Sequence, residues 1–142
     1  VGDYEGCRAL SRHCGVPIIL DESFVNVGQF PLIEGEPSLW ILNIRVSKMG
    51  GLLRACTVAA RAKAAGIPIV VGAQVGETSI LTRVALVVAD RYRDILIAQE
   101  GAVGTHLLEY DLCEPPLMFG RGGCLADTVF YGRSGLGLSF AR

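Results

Sequence analysis

Charge of either sign is scarce in this sequence: only 19% of its 142 residues are Asp, Glu, Lys or Arg. Thirteen basic against fourteen acidic side chains leave a net charge of −1, so the basic surplus that binds a phosphate backbone is missing. No nucleic-acid partner is expected. Long apolar runs are missing too. The longest, Ile67–Ala73 and Val84–Ala89, fall far short of the roughly 20 residues a membrane-spanning helix requires. No membrane partner is expected, and the polar opening with Asp3, Glu5 and Arg8 reads as free of a signal peptide. The five cysteines (Cys7, Cys14, Cys56, Cys113, Cys124) form no CxxC pair, which argues against a disulfide scaffold or a zinc knuckle. Free thiols in a reducing cytoplasm are the expectation.

What the sequence has is apolar residues, at 51%, and eighteen glycines against six prolines. That is the composition of a buried globular fold with many tight turns. Short Ile/Val/Leu runs alternate with amphipathic stretches. Val16–Leu20, Trp40–Val46, Ile67–Val71 and Ile95–Ala98 are each nearly continuous in apolar residues, as strands covered on both faces are. Each breaks at its C-terminal end into polar residues and glycine. Helical patterns lie over Tyr4–Cys14, from Leu52 to Lys63 with a stop at Gly66 and Pro68, and from Thr78 or Ser79 to Arg91. Pro31, Gly35 and Pro37 interrupt the stretch from Ser23 to Leu39.

The chain therefore reads α-β-α-β-α-β-α-β-α with a loop-rich tail. Strand starts fall 24, 27 and 28 residues apart. A full eight-stranded barrel takes roughly 250 residues, or about 31 per unit. Four units fit and eight do not, which leaves an open parallel sheet or half a barrel. In both, function belongs at the C-terminal ends of the strands. There stand Asp21, Glu22 and Ser23; Arg45, Ser47 and Lys48; Gly72, Gln74 and Glu77; and Gln99 and Glu100. No GxGxxG or Walker lysine follows the first strand, so a nucleotide binder is disfavoured.

Val16-Pro-Ile-Ile-Leu-Asp-Glu-Ser23 followed by Asn43-Ile-Arg-Val-Ser-Lys-Met-Gly-Gly51 resembles the barrel domain of the enolase superfamily, in its muconate-lactonizing and mandelate-racemase branches. Ala64-Ala-Gly-Ile-Pro68 and Gly135-Leu-Gly-Leu138 fit the same pattern. The resemblance implies an α/β fold of four parallel βα units, strands five to eight of a modified TIM barrel, over residues 1–112. Residues 113–142 would be a tail returning toward a capping domain. It also implies Mg²⁺-dependent proton abstraction next to a carboxylate, in a lyase, epimerase or cycloisomerase.

By the same resemblance Asp21 is a metal ligand, the only one of the family's three that this sequence contains. Arg45, 24 residues later, stands where the family has a catalytic lysine or aspartate. Arginine stays protonated and cannot be the base. Its roles are to hold a carboxylate, to stabilise an enolate, or to pair with Asp21 or Glu77. Lys48, an odd number of positions on, points to the opposite face if the strand continues, as a packing or surface lysine rather than a replacement base.

Glu100 resembles the family acid that assists the enolate. Glu77 resembles a family glutamate, or is a carboxylate favoured at a helix N-terminus. Ser23, Asn43 and Glu77 are read as substrate-binding. Gly72 falls where the racemase branch has a histidine. His13 and His106 lie in helical patterns away from the strand ends, and Gly120-Arg-Gly-Gly123 reads as a plain loop. The sequence thus reads as a piece of a longer enzyme, inactive alone, whose exposed edges need the missing half or a second copy. The alternative is a non-catalytic, self-assembling module that binds a small anion.

Overall fold

Proline sets where the strands begin. Pro17 and Pro68 cannot donate to a ladder, and the first and third strands start just after them rather than at Val16 and Ile67. The computed structural model describes residues 1–101, 104–125 and 133–141. The order is α1 (Tyr4–Cys14), β1 (Ile18–Leu20), β2 (Trp40–Arg45), α2 (Val46–Met49), α3 (Leu52–Ala65), β3 (Ile69–Gly72), α4 (Ser79–Arg91), β4 (Leu96–Gln99) and α5 (Gly104–Leu107). No helix among the described residues is long and apolar enough to cross a membrane.

The α-helix expected between the first two strands does not form. Pro31 and Pro37 remove two backbone donors, and the segment folds as two 3₁₀ helices, Val27–Leu32 and Pro37–Leu39. Asn26 and Gln29 close the first of them as a capping box.

The four strands form one parallel sheet in the order β1-β2-β3-β4. Consecutive parallel neighbours joined by right-handed crossovers place every connecting helix on the same face. Leu20, Trp40, Leu42, Ile44, Ile69 and Val71 project to that face and pack with Ala55, Val58, Ala59, Ala62, Val84 and Val88 in one buried cluster. The opposite row runs through Ile19, Ile41, Asn43, Arg45, Val70, Gly72 and Ala98, by strand alternation and register.

On that open face Ile41 and Val70 are buried at the centre, but Ile19 is 53% exposed and Ile97, beside a register shift, is 56% exposed. The expectation of strands covered on both faces thus holds for β2 and β3. It fails for β1 and β4, the two edge strands of the sheet.

A second correction concerns Lys48. The extended backbone stops at Arg45, and Val46–Met49 makes one helical turn closed by Gly50 at φ 85°. Strand alternation therefore does not apply to Lys48, which turns back over the end of β1.

The tail is tied to α4. Thr78, the N-cap of α4, makes no side-chain cap bond; instead Asp111 Oδ2 accepts from Ser79 N at 2.8 Å. The buried Ser79 Oγ in turn accepts from Leu117 N at 2.6 Å. Asp111 thus replaces the local cap from 32 residues away, which no local pattern announces.

Candidate active site at the strand ends

The parallel register brings the four C-terminal ends together on one edge of the sheet. Asp21 follows β1, and both its carboxylate oxygens are taken. Arg45 Nη2 donates to Oδ2, Lys48 Nζ donates to Oδ1, and Nζ also reaches the Asp21 carbonyl at 2.7 Å. All three side chains are largely buried. Arg45 thus pairs with Asp21 and not with Glu77. The packing lysine is in fact an ion-paired one, because the helical turn aims it at Asp21.

Arg45 also links two loops. Its Nη1 lies 3.5 Å from Glu22 Oε1 and donates to Gln74 Oε1 at 3.3 Å. Gln74 N donates to Glu77 Oε1 at 2.8 Å, which closes the turn after β3 around a buried glutamate. Glu77 precedes the Thr78 cap and bonds within this turn, so it does not act as a first-turn helix carboxylate. Burial raises its pKa above the ordinary carboxylate value, against the lowering effect of the Gln74 N–H and of Arg45; nearby Glu100 adds to the rise.

A second cluster crosses β3. Asn43, only 4% exposed, donates from Nδ2 to Glu100 Oε1 at 3.4 Å, the long end of the hydrogen-bonding range. Ala73 N donates to Glu100 Oε2 at 3.0 Å. Asn43 Oδ1, Arg45 Nε and Gln99 Nε2 are buried without partners. Beyond Glu100, Phe119 packs against Gly101, and the tail lines an open apolar hollow of about 370 Å³ beside Leu108, Tyr110 and Met118.

Ser23 is not part of either cluster. Its Oγ accepts from Gly2 N at 3.0 Å, and its carbonyl accepts from the Tyr4 hydroxyl and from Gln29 Nε2. His13 closes α1 and His106 sits in α5, both exposed. Arg121–Gly123 forms a single 3₁₀ turn. Gln74 and Gly72 stand among the strand-end residues expected from the sequence, but the bond from Arg45 to Gln74 and the close approach of Asn43 to Gly72 have no sequence signal.

Among the described residues no three His, Cys, Asp or Glu side chains converge to hold a metal ion. Mg²⁺ takes near-octahedral oxygen coordination, and the one candidate donor already carries two cations. The described residues do not by themselves fit the magnesium ion.

The family model described as enolase C-terminal domain-like matches residues 1–142. The chain belongs to that family. It is 31% identical over 81 residues to an N-acetyl-D-glutamate racemase of a Pseudoalteromonas species, a stretch covering 56% of this chain and 25% of the relative. It is 30% identical over 70 residues, or 49% of this chain and 20% of the relative, to an L-Ala-D/L-Glu epimerase of Francisella tularensis subsp. novicida.

Among solved structures, the 2-chloromuconate cycloisomerase of Rhodococcus opacus 1CP superposes with a TM-score of 0.81 at 27% identity, covering 98% of this chain and 36% of its own. The L-Ala-D/L-Glu epimerase of Bacillus subtilis, at 23% identity, a TM-score of 0.78, and 99% and 37% coverage, supports the fold alone. The relatives are racemases, epimerases and cycloisomerases of one superfamily. This chain spans a quarter or less of the curated relatives and little more than a third of those solved chains.

Proposed function

We propose that the chain is the second half, strands five to eight, of a modified eight-stranded barrel, and that its strand ends serve proton transfer next to a substrate carboxylate. The observation that carries this is the pairing of Asp21 with two cations. One carboxylate needs only one partner to stay neutralised, so Lys48 keeps Asp21 while Arg45 turns to a substrate carboxylate. When the adjacent C–H bond breaks, the electron pair moves onto the carboxylate oxygens, where the guanidinium stabilises it. Glu100, held by Ala73 and Asn43, stands beside the developing charge as the acid.

Arg45 cannot accept a proton, so no base acts from its strand. Racemisation needs proton exchange on both faces of the reacting carbon. This chain supports chemistry on one face, as in a lyase or cycloisomerase, with the base supplied from outside these residues. The magnesium implied by the resemblance would need carboxylates from the missing strands and would have to displace Arg45 and Lys48 from Asp21.

The test is a chimera in which the N-terminal segment of the Rhodococcus cycloisomerase precedes residue 1, incubated in D₂O with Mg²⁺ and N-acetylglutamate as the carboxylate probe. Deuterium enters next to the carboxylate without racemisation, and the 142-residue chain alone gives none. A folded chimera that exchanges no deuterium would sink the proposal. The exposed Ile19 and Ile97 on the open face favour a second reading, a self-associating half-barrel. A monodisperse monomer by light scattering counts against it.

A further inference from the structure

We propose that Gly72 is a gap in the open face of the sheet through which Asn43 reaches Glu100, making Asn43 the positioning residue of that carboxylate. The inference rests on the reading of Glu100 as the acid of the strand-end site.

Asn43 stands on β2 and Glu100 follows β4, so β3 lies between them, and the two outer strands are about 9.6 Å apart. Arg45 pairs in register with Gly72. A Cβ at Gly72 would lie 2.9 Å from Asn43 Cγ, on top of Asn43 Oδ1, and 3.0 Å from Arg45 Cγ. A side chain on Gly72 therefore displaces the Asn43 amide from its path between β2 and β4. The glycine acts here through space rather than through backbone angle.

The neighbours of Asn43 on this face, Ile41 and Val70, are apolar and buried. An asparagine in their row buries an amide whose Oδ1 has no partner, a cost an aliphatic side chain would avoid. What the amide makes in return is the bond to Glu100 Oε1, opposite the one Ala73 N makes to Oε2. Donors on both oxygens fix the carboxylate plane. The carboxylate also fixes which way the amide points, since only the NH₂ end can face it.

The test follows the Asn43 side-chain NH₂ resonances of the ¹⁵N-labelled 142-residue chain through a pH series. The charged groups in this part of the site are Asp21, Glu22, Glu77, Arg45 and Lys48 besides Glu100; Asp21 and Glu22 pair with the two cations, which leaves Glu77 as the competing carboxyl nearest Glu100. The resonances follow one carboxyl titration, which persists in Glu77→Gln and is absent in Glu100→Gln. In Gly72→Ala the Asn43 signals no longer follow it, whereas the Ala73 amide still does. A titration of Asn43 that survives Glu100→Gln, disappears in Glu77→Gln, or is unchanged in Gly72→Ala overturns the inference. None of these readings needs turnover, so an inactive chimera leaves them intact, and their failure leaves the proton-transfer reading standing.

Discussion

Replacing Asp21 by Asn separates the energetic role of the Asp21 pair from its shape. The amide keeps an oxygen for one donor but loses the charge, leaving a guanidinium and an ammonium side by side, at 20% and 10% side-chain exposure. A hydrogen bond to a charged group contributes about 1.5–3 kcal/mol, and a fully buried pair broken on one side costs about 3–5 kcal/mol. Here one fifth of the acid and of the arginine is open to water, which screens the interaction, and the Asp21 carbonyl still holds Lys48. The expected cost is about 2 kcal/mol. With a urea m-value of about 2 kcal/mol/M, the unfolding midpoint falls by about 1 M.

Lys48→Met removes one of the two competing cations, so the double variant is expected to cost less than the sum of its parts, with a coupling of about 1 kcal/mol. Urea unfolding followed by the fluorescence of the buried Trp40 gives all four corners of the cycle. Additivity within about 0.5 kcal/mol would refute the view that Lys48 and Arg45 share Asp21.

Glu77→Gln alters the pH dependence of stability. The folded pKa is raised, so between the ordinary carboxylate range and that raised value the folded state binds more protons than the unfolded one. Stability therefore falls as pH rises through this window in the native sequence, and urea midpoints of the Gln variant lack that fall. Asp111→Ala removes the acceptor for Ser79 N and for Cys113 N, at a cost of about 1 kcal/mol, read as a melting point about 3 °C lower by calorimetry. Arg45→Lys puts a titratable amine on the second face of the reacting carbon. In the chimera, polarimetry should then detect racemisation that the arginine form does not catalyse.

The four strands were legible because each is a short apolar run ending in polar residues, and the observed ends differ from the runs by two residues at most. Proline explains the late starts of β1 and β3. Arg45 opposite Asp21 was also legible, since adjacent parallel strands bring their C-terminal ends together. Lys48 was misplaced because its direction depends on whether the backbone stays extended past Arg45, and the Gly50–Gly51 turn decides that locally. The Asp111 cap and the Asn43–Glu100 link span 32 and 57 residues, and nothing in the local pattern of either partner encodes the other. Gly72 was legible as a missing histidine; its function as a gap needed the neighbouring strand in place.

The charge balance at the strand ends sets a condition on any substrate. Asp21, Glu22, Glu77 and Glu100 face only Arg45 and Lys48 among the groups linked there, so the cluster is acid-rich before a ligand arrives. Burial relieves part of this by favouring the neutral form of Glu77, but a carboxylate substrate still adds a negative charge to an acidic mouth. Turning Arg45 toward that substrate does not change the total, since the guanidinium then leaves Asp21 to Lys48 alone. Tight binding of a carboxylate therefore requires positive charge from outside the cluster. This argues against anion binding by the cluster on its own, and for a site completed by cationic groups or a metal ion from outside it.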